Sequence, residues 1–354
     1  PFGNTGRVRK GYVIGLSDKP KIAPEKIKEI SEICSGEETT ESRLIALAAW
    51  MRENYGSTMI QALRTVLPIQ EKIKAKEKKY ICLDISEEAG TQLLKELEQT
   101  RFKARTRLLR ELLEKKRLDY THAAKELGTT SAVVKKFQEQ GIIRIEYDEI
   151  MRTSLNTGDI SGERRMPLTD EQEAAVKQIQ REWKNPSPKP VLIEGVTGSG
   201  KTQVYIKLIE QTLSQGKEAI VLIPEIALTY QTVRRFYARF GDKVSVINSR
   251  QSQGERYDQF KRAKKGEVQV MIGPRSALFT PFASLGLIII DEEHEPSYKS
   301  ESTPRYHARE TAIRRAVLEH ANVVMGSATP SVEAYSKAMN GEYSLVRLTT
   351  RYGS

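Results

Sequence analysis

The chain has 354 residues, 38% of them hydrophobic, which is enough apolar material for two or three packed domains. Lysine and arginine outnumber aspartate and glutamate by 57 to 46, and the net charge of +11 favours a polyanionic partner. No apolar stretch approaches the roughly 18 residues of a membrane span. Cys34 and Cys82 form no CxxC pair, which excludes a zinc framework and indicates a reducing, cytoplasmic compartment.

Residues 1–75 have the pattern of a small mixed α/β domain. Val8–Leu16 is typical of a strand, while Arg43–Tyr55 and Thr58–Leu67 have helical periodicity with their apolar residues on one face. The Lys/Glu-rich run 72–79 predicts a linker or an exposed helix.

Residues 100–150 have the order of a winged-helix module. Arg101–Arg117 carries eight basic and two acidic residues, which at helical spacing indicates either a phosphate-facing surface or a solvated face. Gly128 ends one helix, and Thr129, Thr130 and Ser131 are candidate caps of the next, Ala132–Gln140. Ile142–Tyr147 alternates like a wing strand. Such modules bind duplex DNA or pack against protein, and both roles stay open.

The polar, irregular stretch 151–167 predicts an interdomain linker. In residues 168–354, apolar strands alternate with helical patterns, which predicts one α/β domain with a parallel sheet. The strand candidates are Val191–Ile193, Ala219–Ile223, Val244–Ile247, Val268–Ile272, Leu287–Ile290 and Asn322–Met325.

The octapeptide Gly195–Thr202 fits the nucleotide-binding P-loop pattern between an apolar strand and a helical segment. Its glycines let backbone N–H groups surround a polyphosphate, and the helix N-terminus adds a field favourable to anions. Lys201 is placed to reach the β- and γ-phosphates, and Thr202 to ligate Mg²⁺. The predicted ATP-binding residues are Gly195, Thr197, Gly198, Ser199, Gly200, Lys201 and Thr202, joined by Gln172, whose amide is a candidate to read the adenine edge.

Two polar motifs follow apolar strands further along the chain. Asp291-Glu292-Glu293-His294 comes after Leu287–Ile290, so its acids fall at the carboxyl end of a buried strand. Asp291 is placed to hold Mg²⁺ with Thr202, and Glu292 to orient and deprotonate the attacking water. Gly326–Pro330 follows Asn322–Met325, and its hydroxyls are candidates to couple hydrolysis to movement.

Together these motifs resemble the bacterial replication-restart helicase family PriA (primosomal protein N-prime) of helicase superfamily 2. The similarity covers nearly the full length, from Pro1-Phe2-Gly3 and Gly11-Tyr12-Val13 onward. In the ATPase region it is carried by Val196–Thr202, Pro224–Thr229, Gly273–Phe282, Asp291–His294, Ser297–Lys299, Arg305–Arg309 and Gly326–Ser331.

The resemblance implies an ATP- and Mg²⁺-dependent DNA helicase with a RecA-like P-loop lobe. Members of this family move along DNA in the 3′-to-5′ direction, recognise stalled or branched replication forks and restart replication by primosome assembly. The implied partners are forked and single-stranded DNA, the single-stranded-DNA-binding protein and other primosome proteins.

The resemblance also implies residue roles. Gly3 and Lys28 match the family's pocket for the 3′ end of a nascent strand, although the strands that precede this pocket in the family are missing. Ser297–Arg309 matches an aromatic-rich loop that couples DNA contact to ATP hydrolysis. Its candidate DNA contacts are Tyr298, Tyr306 and His307 for base stacking and Arg305 and Arg309 for phosphates, joined by Arg275 and Ser276 on the DNA path. Packing of the tyrosines against the sheet is the alternative.

The sequence departs from the family at Gln203, Tyr230 and Asn248, none of which is a phosphate, Mg²⁺ or water-activating group. The chain begins with Pro1, so we expect a fragment, with the second motor lobe, its arginine fingers and a zinc site in absent parts. In such motors, arginines from the opposite side of the ATP site stabilise the transition state of hydrolysis. We therefore expect this chain to bind ATP–Mg²⁺ and branched DNA weakly and to hydrolyse little ATP. A nucleotide-switched DNA-binding protein, an RNA helicase and a restriction-type translocase are the alternatives.

Overall fold

The fold is given by a computed structural model, which describes residues 38–67, 76–99, 102–150 and 167–351 and isolated positions between 18 and 32. The chain forms two compact units, one of residues 1–71 with 156–354 and the other of residues 72–155. In the described ranges, no helix has the length and apolar character needed to cross a bilayer. The predicted strand Val8–Leu16, the candidate residues Gly3 and Lys28, and nearly all of the predicted linker lie outside the described residues.

In its described residues, the smaller unit has a three-stranded antiparallel sheet and four helices. Its sheet order is β2-β1-β3, with β1 at Lys76–Leu83, β2 at Arg117–Asp119 and β3 at Ile143–Ile150. The helices are α3 (Glu87–Glu98), α4 (Lys103–Lys115), α5 (Tyr120–Glu126) and α6 (Ser131–Glu139). Their core contains Ile81, Leu108, Leu109, Leu112 and Phe137.

Local signals in this unit agree with the sequence only in part. Thr130 caps α6 by accepting a hydrogen bond from the Val133 N–H, and Gly128 has the positive φ of 62° that suits a glycine after a helix. The prediction of a linker or exposed helix over 72–79 is wrong for residues 76–79, because all eight residues of β1 from Lys76 onward pair with β3; residues 72–75 lie outside the described ranges. Pairing with a strand distant in sequence outweighs the low strand propensity of lysine and glutamate.

The larger unit is built on a seven-stranded parallel sheet in the order β10-β4-β9-β8-β5-β7-β6. The strands in chain order are β4 (Val191–Gly195), β5 (Glu218–Leu222), β6 (Val244–Val246), β7 (Val270–Gly273), β8 (Leu285–Asp291), β9 (Asn322–Ser327) and β10 (Ser344–Leu348). All six predicted strands are confirmed. The seventh, β10, was missed because its sequence, Ser-Leu-Val-Arg-Leu, mixes polar with apolar residues and forms no continuous apolar run.

One helix, α7 (Asp170–Trp183), precedes the first strand of this sheet. Helices that connect its strands are α8 (Lys201–Ser214), α9 (Tyr230–Phe240), α10 (Gln253–Lys264), α11 (Ala308–Glu319) and α12 (Val332–Met339). The apolar residues of β8 from Leu285 to Ile290 are fully buried, as expected of a parallel strand covered on both faces. The sheet therefore fixes the carboxyl ends of its central strands, where the polar motifs begin.

Two N-terminal helices, α1 (Glu38–Asn54) and α2 (Met59–Val66), confirm the predicted helical pair. Thr58 and Gln61 form a capping box that fixes the start of α2. The sequence placed both helices in a domain of residues 1–75, but their apolar faces share one core with the parallel-sheet unit. The residues they contribute are Leu44, Leu47, Ala48, Met51, Ala62 and Val66.

Candidate nucleotide-binding site

Three polar motifs meet at one edge of the parallel sheet. The strands β4, β9 and β8 are neighbours in the sheet, so the P-loop, the Gly326–Ser331 segment and the acidic motif start side by side. Lys201 Nζ lies 3.7 Å from Glu292 Oε1, which joins the first of these motifs to the third. The sequence-predicted basic and acidic groups are thus brought together by strand order.

The P-loop has the geometry of a phosphate cradle. Gly198 and Gly200 adopt φ values of 84° and 79°, a region that glycine occupies without a Cβ penalty. Lys201 Nζ donates to the Gly195 carbonyl oxygen at 2.9 Å, and the buried Ser199 hydroxyl has no hydrogen-bond partner among the residues that the structure describes. A Cβ on Gly195 would lie 2.9 Å from that hydroxyl oxygen. The Ser199 hydroxyl and the Lys201 ammonium group are hydrogen-bond donors that can turn to the oxygens of a polyphosphate.

Gln172 supports this loop from behind. Its Nε2 donates to the Ser199 carbonyl oxygen at 2.9 Å, and its Oε1 accepts from the Thr169 N–H at 3.1 Å. The side chain is 1% exposed. The adenine-reading role predicted for Gln172 does not fit this arrangement, because both ends of the amide are used to hold the P-loop to the start of α7.

Asp291 ends β8 in a half-buried position. The Tyr205 hydroxyl donates to Asp291 Oδ1 at 3.0 Å, and burial, followed by the charge of Glu292, raises the pKa of Asp291 to about 6. Tyr205 was missed by the sequence analysis, although its spacing of four residues from Lys201 places both on one face of α8. Gly326 admits the tyrosine ring, since a Cβ there would lie 1.8 Å from the Tyr205 hydroxyl.

Glu292 has a strained backbone, because its φ of 48° lies in the left-handed region that residues other than glycine rarely adopt. Its Oε2 lies 3.6 Å from His294 Nδ1, and the same ring nitrogen lies 2.8 Å from the Ser327 hydroxyl. Ser327 also accepts from the Thr329 N–H at 3.0 Å. The acidic motif and the Gly326–Ser331 segment are therefore linked through the imidazole of His294.

Glu293 forms a buried network that the sequence analysis missed. Its Oε2 accepts from Arg309 Nη1 at 2.9 Å and from the Ser331 hydroxyl at 3.0 Å, while Oε1 accepts from the Ser331 N–H at 2.6 Å. The side chains of Glu293 and Arg309 are 0% and 6% exposed. A second glutamate in an acidic run gives no sequence signal that distinguishes a buried ion pair from a solvated carboxylate.

Three of the predicted DNA contacts require correction. Tyr298 and Tyr306 are 1% and 4% exposed; the Tyr298 hydroxyl lies 2.7 Å from the Asp291 carbonyl oxygen, and the Tyr306 ring packs edge-on against Phe279. Arg309 is committed to Glu293. Rings and guanidinium groups buried in this way cannot stack on bases or reach phosphates, so these side chains pack and link elements of the protein.

Other predicted DNA contacts keep some exposure. Arg305 is exposed, and Ser276 and His307 are half-buried. Arg275 Nη1 donates to the carbonyl oxygens of Ser297 and Lys299, at 2.9 and 2.6 Å. Arg305 is therefore the most exposed residue of this group.

The basic stretch in the smaller unit is partly neutralised. Arg110 pairs with Glu98 at 2.8 Å, Lys115 with Glu111 at 2.8 Å and Arg117 with Glu146 at 3.3 Å. Lys116 pairs with Glu87. These pairs are exposed, so a polyanion at high local charge density would compete for the same cations.

Candidate Mg²⁺ ligands are Thr202, half-buried in the first turn of α8, and Asp291. Across the described ranges, no group of three or more His, Cys, Asp and Glu side chains is arranged to hold a metal ion by itself. A hydroxyl and a single carboxylate fit Mg²⁺, which takes few protein ligands and completes its shell with phosphate and water.

Comparison with known proteins finds family matches in two segments of this chain. The DEAD/DEAH box helicase family matches residues 169–338, and the 3'DNA-binding domain (3'BD) family matches residues 1–68. The chain is 47% identical over 227 residues to the replication restart protein PriA of Bacillus subtilis, covering 64% of this chain and 28% of that protein.

Two further relatives extend the match to the whole chain. Identity is 33% over 367 residues with the replication restart protein PriA of Haemophilus influenzae, covering 100% of this chain and 48% of that protein. It is 35% over 349 residues with the replication restart protein PriA of Chlamydia muridarum, covering 96% and 45%. This chain belongs to the PriA family. It spans less than half the length of these relatives.

Proposed function

We propose that this chain carries the ATP-binding lobe of a DNA helicase that acts in replication restart. The observation that carries the proposal is the approach of Lys201 to within 3.7 Å of Glu292, next to Asp291 and beneath a phosphate loop with a serine hydroxyl that has no hydrogen-bond partner in the described ranges. A P-loop lysine, a metal-binding aspartate and a general-base glutamate are the groups that ATP hydrolysis by such enzymes requires.

Each of these side chains has a distinct task. Lys201 exchanges its bond to the Gly195 carbonyl for the β- and γ-phosphates, and the P-loop amides hold the remaining oxygens. Thr202 and Asp291 hold Mg²⁺, which when bound neutralises phosphate charge. Glu292 orients the attacking water and accepts its proton. His294 lies between Glu292 and Ser327, so a shift of the Gly326–Ser331 segment changes the surroundings of the base.

The DNA-facing part of the proposal rests on the 3'DNA-binding domain match over residues 1–68 and on the net charge of +11. We assign forked and single-stranded DNA as partners and 3′-to-5′ as the direction of movement. The single-stranded-DNA-binding protein and other primosome proteins are further proposed partners, in the cytoplasm at replication forks. In the smaller unit, α6 is the proposed duplex-contacting helix.

ATP hydrolysis by the full-length gene product, measured with forked DNA, plain duplex and RNA, tests this proposal. We expect forked DNA to give the strongest stimulation. Equal stimulation by RNA would favour an RNA helicase. Nucleotide-dependent DNA affinity without DNA-stimulated hydrolysis would favour a nucleotide-switched DNA-binding protein and would refute the motor function.

A further inference from the structure

A loop between β8 and α11 is closed at its base. Lys299 and His307 form an isolated antiparallel bridge, and the Ser300 N–H donates to the Tyr306 carbonyl oxygen at 2.8 Å. We refer to residues 299–307 as the bridged loop. Positions 301–303 and Arg305 are exposed at its tip, whereas its base is fixed to the larger unit. A ligand at the tip therefore acts on a loop whose base is held in one geometry.

Tyr55, immediately after α1, contacts both sides of that base. Lys299 Nζ lies 5.5 Å from the centroid of the Tyr55 ring, within the range of a cation–π interaction. Burial raises the pKa of Tyr55, and the neighbouring His307 backbone and Thr311 side chain oppose that rise. Trp50 packs edge-on against the same ring, with centroids 5.6 Å apart, and so holds its orientation.

The helix that carries Tyr55 is anchored on the larger unit. Arg43 Nη1 lies 3.4 Å from Glu319 Oε2 and 3.5 Å from the Ala283 carbonyl oxygen. Leu44, Leu47 and Met51 are buried in the shared core. The position of Tyr55 is therefore set by the body of α1, and its contacts with the bridged loop persist only while α1 stays docked.

The bridged loop leads to the acidic motif over a short distance. His307 Nδ1 accepts from the Arg309 N–H at 3.2 Å, and the Arg309 side chain pairs with Glu293 at 2.9 Å, next in sequence to Glu292. Two hydrogen-bonded contacts thus connect His307 to Glu293, the neighbour of the proposed base.

We propose that Tyr55 is a positioning residue of the bridged loop, through which the N-terminal helical pair sets the response of ATP hydrolysis to DNA. This inference rests on the proposed function. The helical pair lies inside the segment that matches the 3'DNA-binding domain family, residues 1–68, yet it packs on the ATP-binding unit. One side chain therefore belongs to the DNA-end-binding segment and contacts the loop beside the catalytic carboxylates.

The test compares Tyr55→Phe, which keeps the ring and removes the hydroxyl, with Tyr55→Leu, which removes both contacts. Lys299→Gln removes the cation from the opposite side of the interaction. Ile60→Ala, on α2 at a side chain that is 63% exposed, is the matched control. ATP hydrolysis of the full-length protein is measured without DNA and over a titration of forked DNA, together with the KM for ATP and the melting temperature.

We expect Tyr55→Leu to lower DNA stimulation about fivefold, as loss of a cation–π contact with Lys299 implies, and Tyr55→Phe, which keeps the ring, to lower it less. Basal kcat and the KM for ATP stay unchanged, and Ile60→Ala resembles the wild type. Unchanged stimulation in both Tyr55 variants and in Lys299→Gln would overturn the inference. The inference would also be overturned if basal and stimulated ATP hydrolysis fell together with the melting temperature, because that result indicates that Tyr55 only packs in the core. A wild-type protein without DNA stimulation would refute the proposed function, and this inference with it.

Discussion

Replacing Glu293 with glutamine tests the buried network beside the catalytic carboxylates. The change removes one charge from an ion pair whose side chains are 0% and 6% exposed. It also leaves Arg309 facing an amide, and the carboxylate that accepts from the Ser331 N–H at 2.6 Å is lost. Removing one partner of a buried pair costs about 3–5 kcal/mol, because the other charge stays buried without compensation.

The lower end of that range applies here. Arg309 Nη2 keeps Glu310 Oε1 at 3.1 Å, on a side chain that is 34% exposed. A loss of about 3 kcal/mol corresponds to a fall in melting temperature of about 6–12 °C for a domain of roughly 150–250 residues. Glu301→Gln, an exposed glutamate at the tip of the bridged loop, is the matched control, with an expected change within about 0.5 kcal/mol.

Calorimetry and urea unfolding measure both variants. The double variant Glu293→Leu with Arg309→Met should be more stable than the sum of its single variants implies, because it removes both buried charges together. A Glu293→Gln protein that melts within about 2 °C of the wild type would refute this reasoning. Additive costs in the double variant would show that the two side chains do not interact.

Three further predictions concern the catalytic carboxylates. Because the folded-state pKa of Asp291 is raised from 3.8 to about 6, stability is lost as pH rises through that interval. Asp291→Asn should therefore stabilise the metal-free protein by up to about 3 kcal/mol near pH 8 and by little near pH 4, measured by urea unfolding. Glu292→Gln should retain ATP binding in fluorescence titrations while kcat falls about 100-fold or more; unchanged turnover would remove Glu292 as the base. Gly326→Ala should displace the Tyr205 ring, whose hydroxyl would lie 1.8 Å from the new Cβ, and lower both stability and Mg²⁺-dependent hydrolysis, whereas wild-type values would contradict the close packing.

Features with a local sequence signal were predictable. The apolar run of β8 and the glycines of the P-loop each depend on neighbours within a few residues. The sequence also predicted that the P-loop and the acidic motif lie close together, because the carboxyl ends of parallel strands share an edge of the sheet. The chemistry of Lys201 and Glu292 was therefore accessible before the fold was known.

Burial of individual side chains was not predictable in the same way. From the sequence, Arg309 is expected to be a surface cation. The fold instead places it against Glu293, 16 residues earlier in the chain. Tyr306 is predicted from the sequence to stack on a base, but in the fold Phe279 packs against its ring. The lysine-rich start of β1 becomes a strand only through pairing with β3, more than 60 residues later. In each case a contact distant in sequence decides the environment, and periodicity carries no information about it.

The most direct measurement is calorimetric titration of a non-hydrolysable ATP analogue in the presence of Mg²⁺. We predict saturable binding to the wild type and at least a tenfold loss in Lys201→Ala, because a charge-assisted bond to phosphate contributes about 1.5–3 kcal/mol. Lys207→Ala, exposed on the same helix, should bind like the wild type. Equal affinity in Lys201→Ala, or no binding to the wild type at millimolar analogue, would contradict a nucleotide site between the P-loop and the acidic motif.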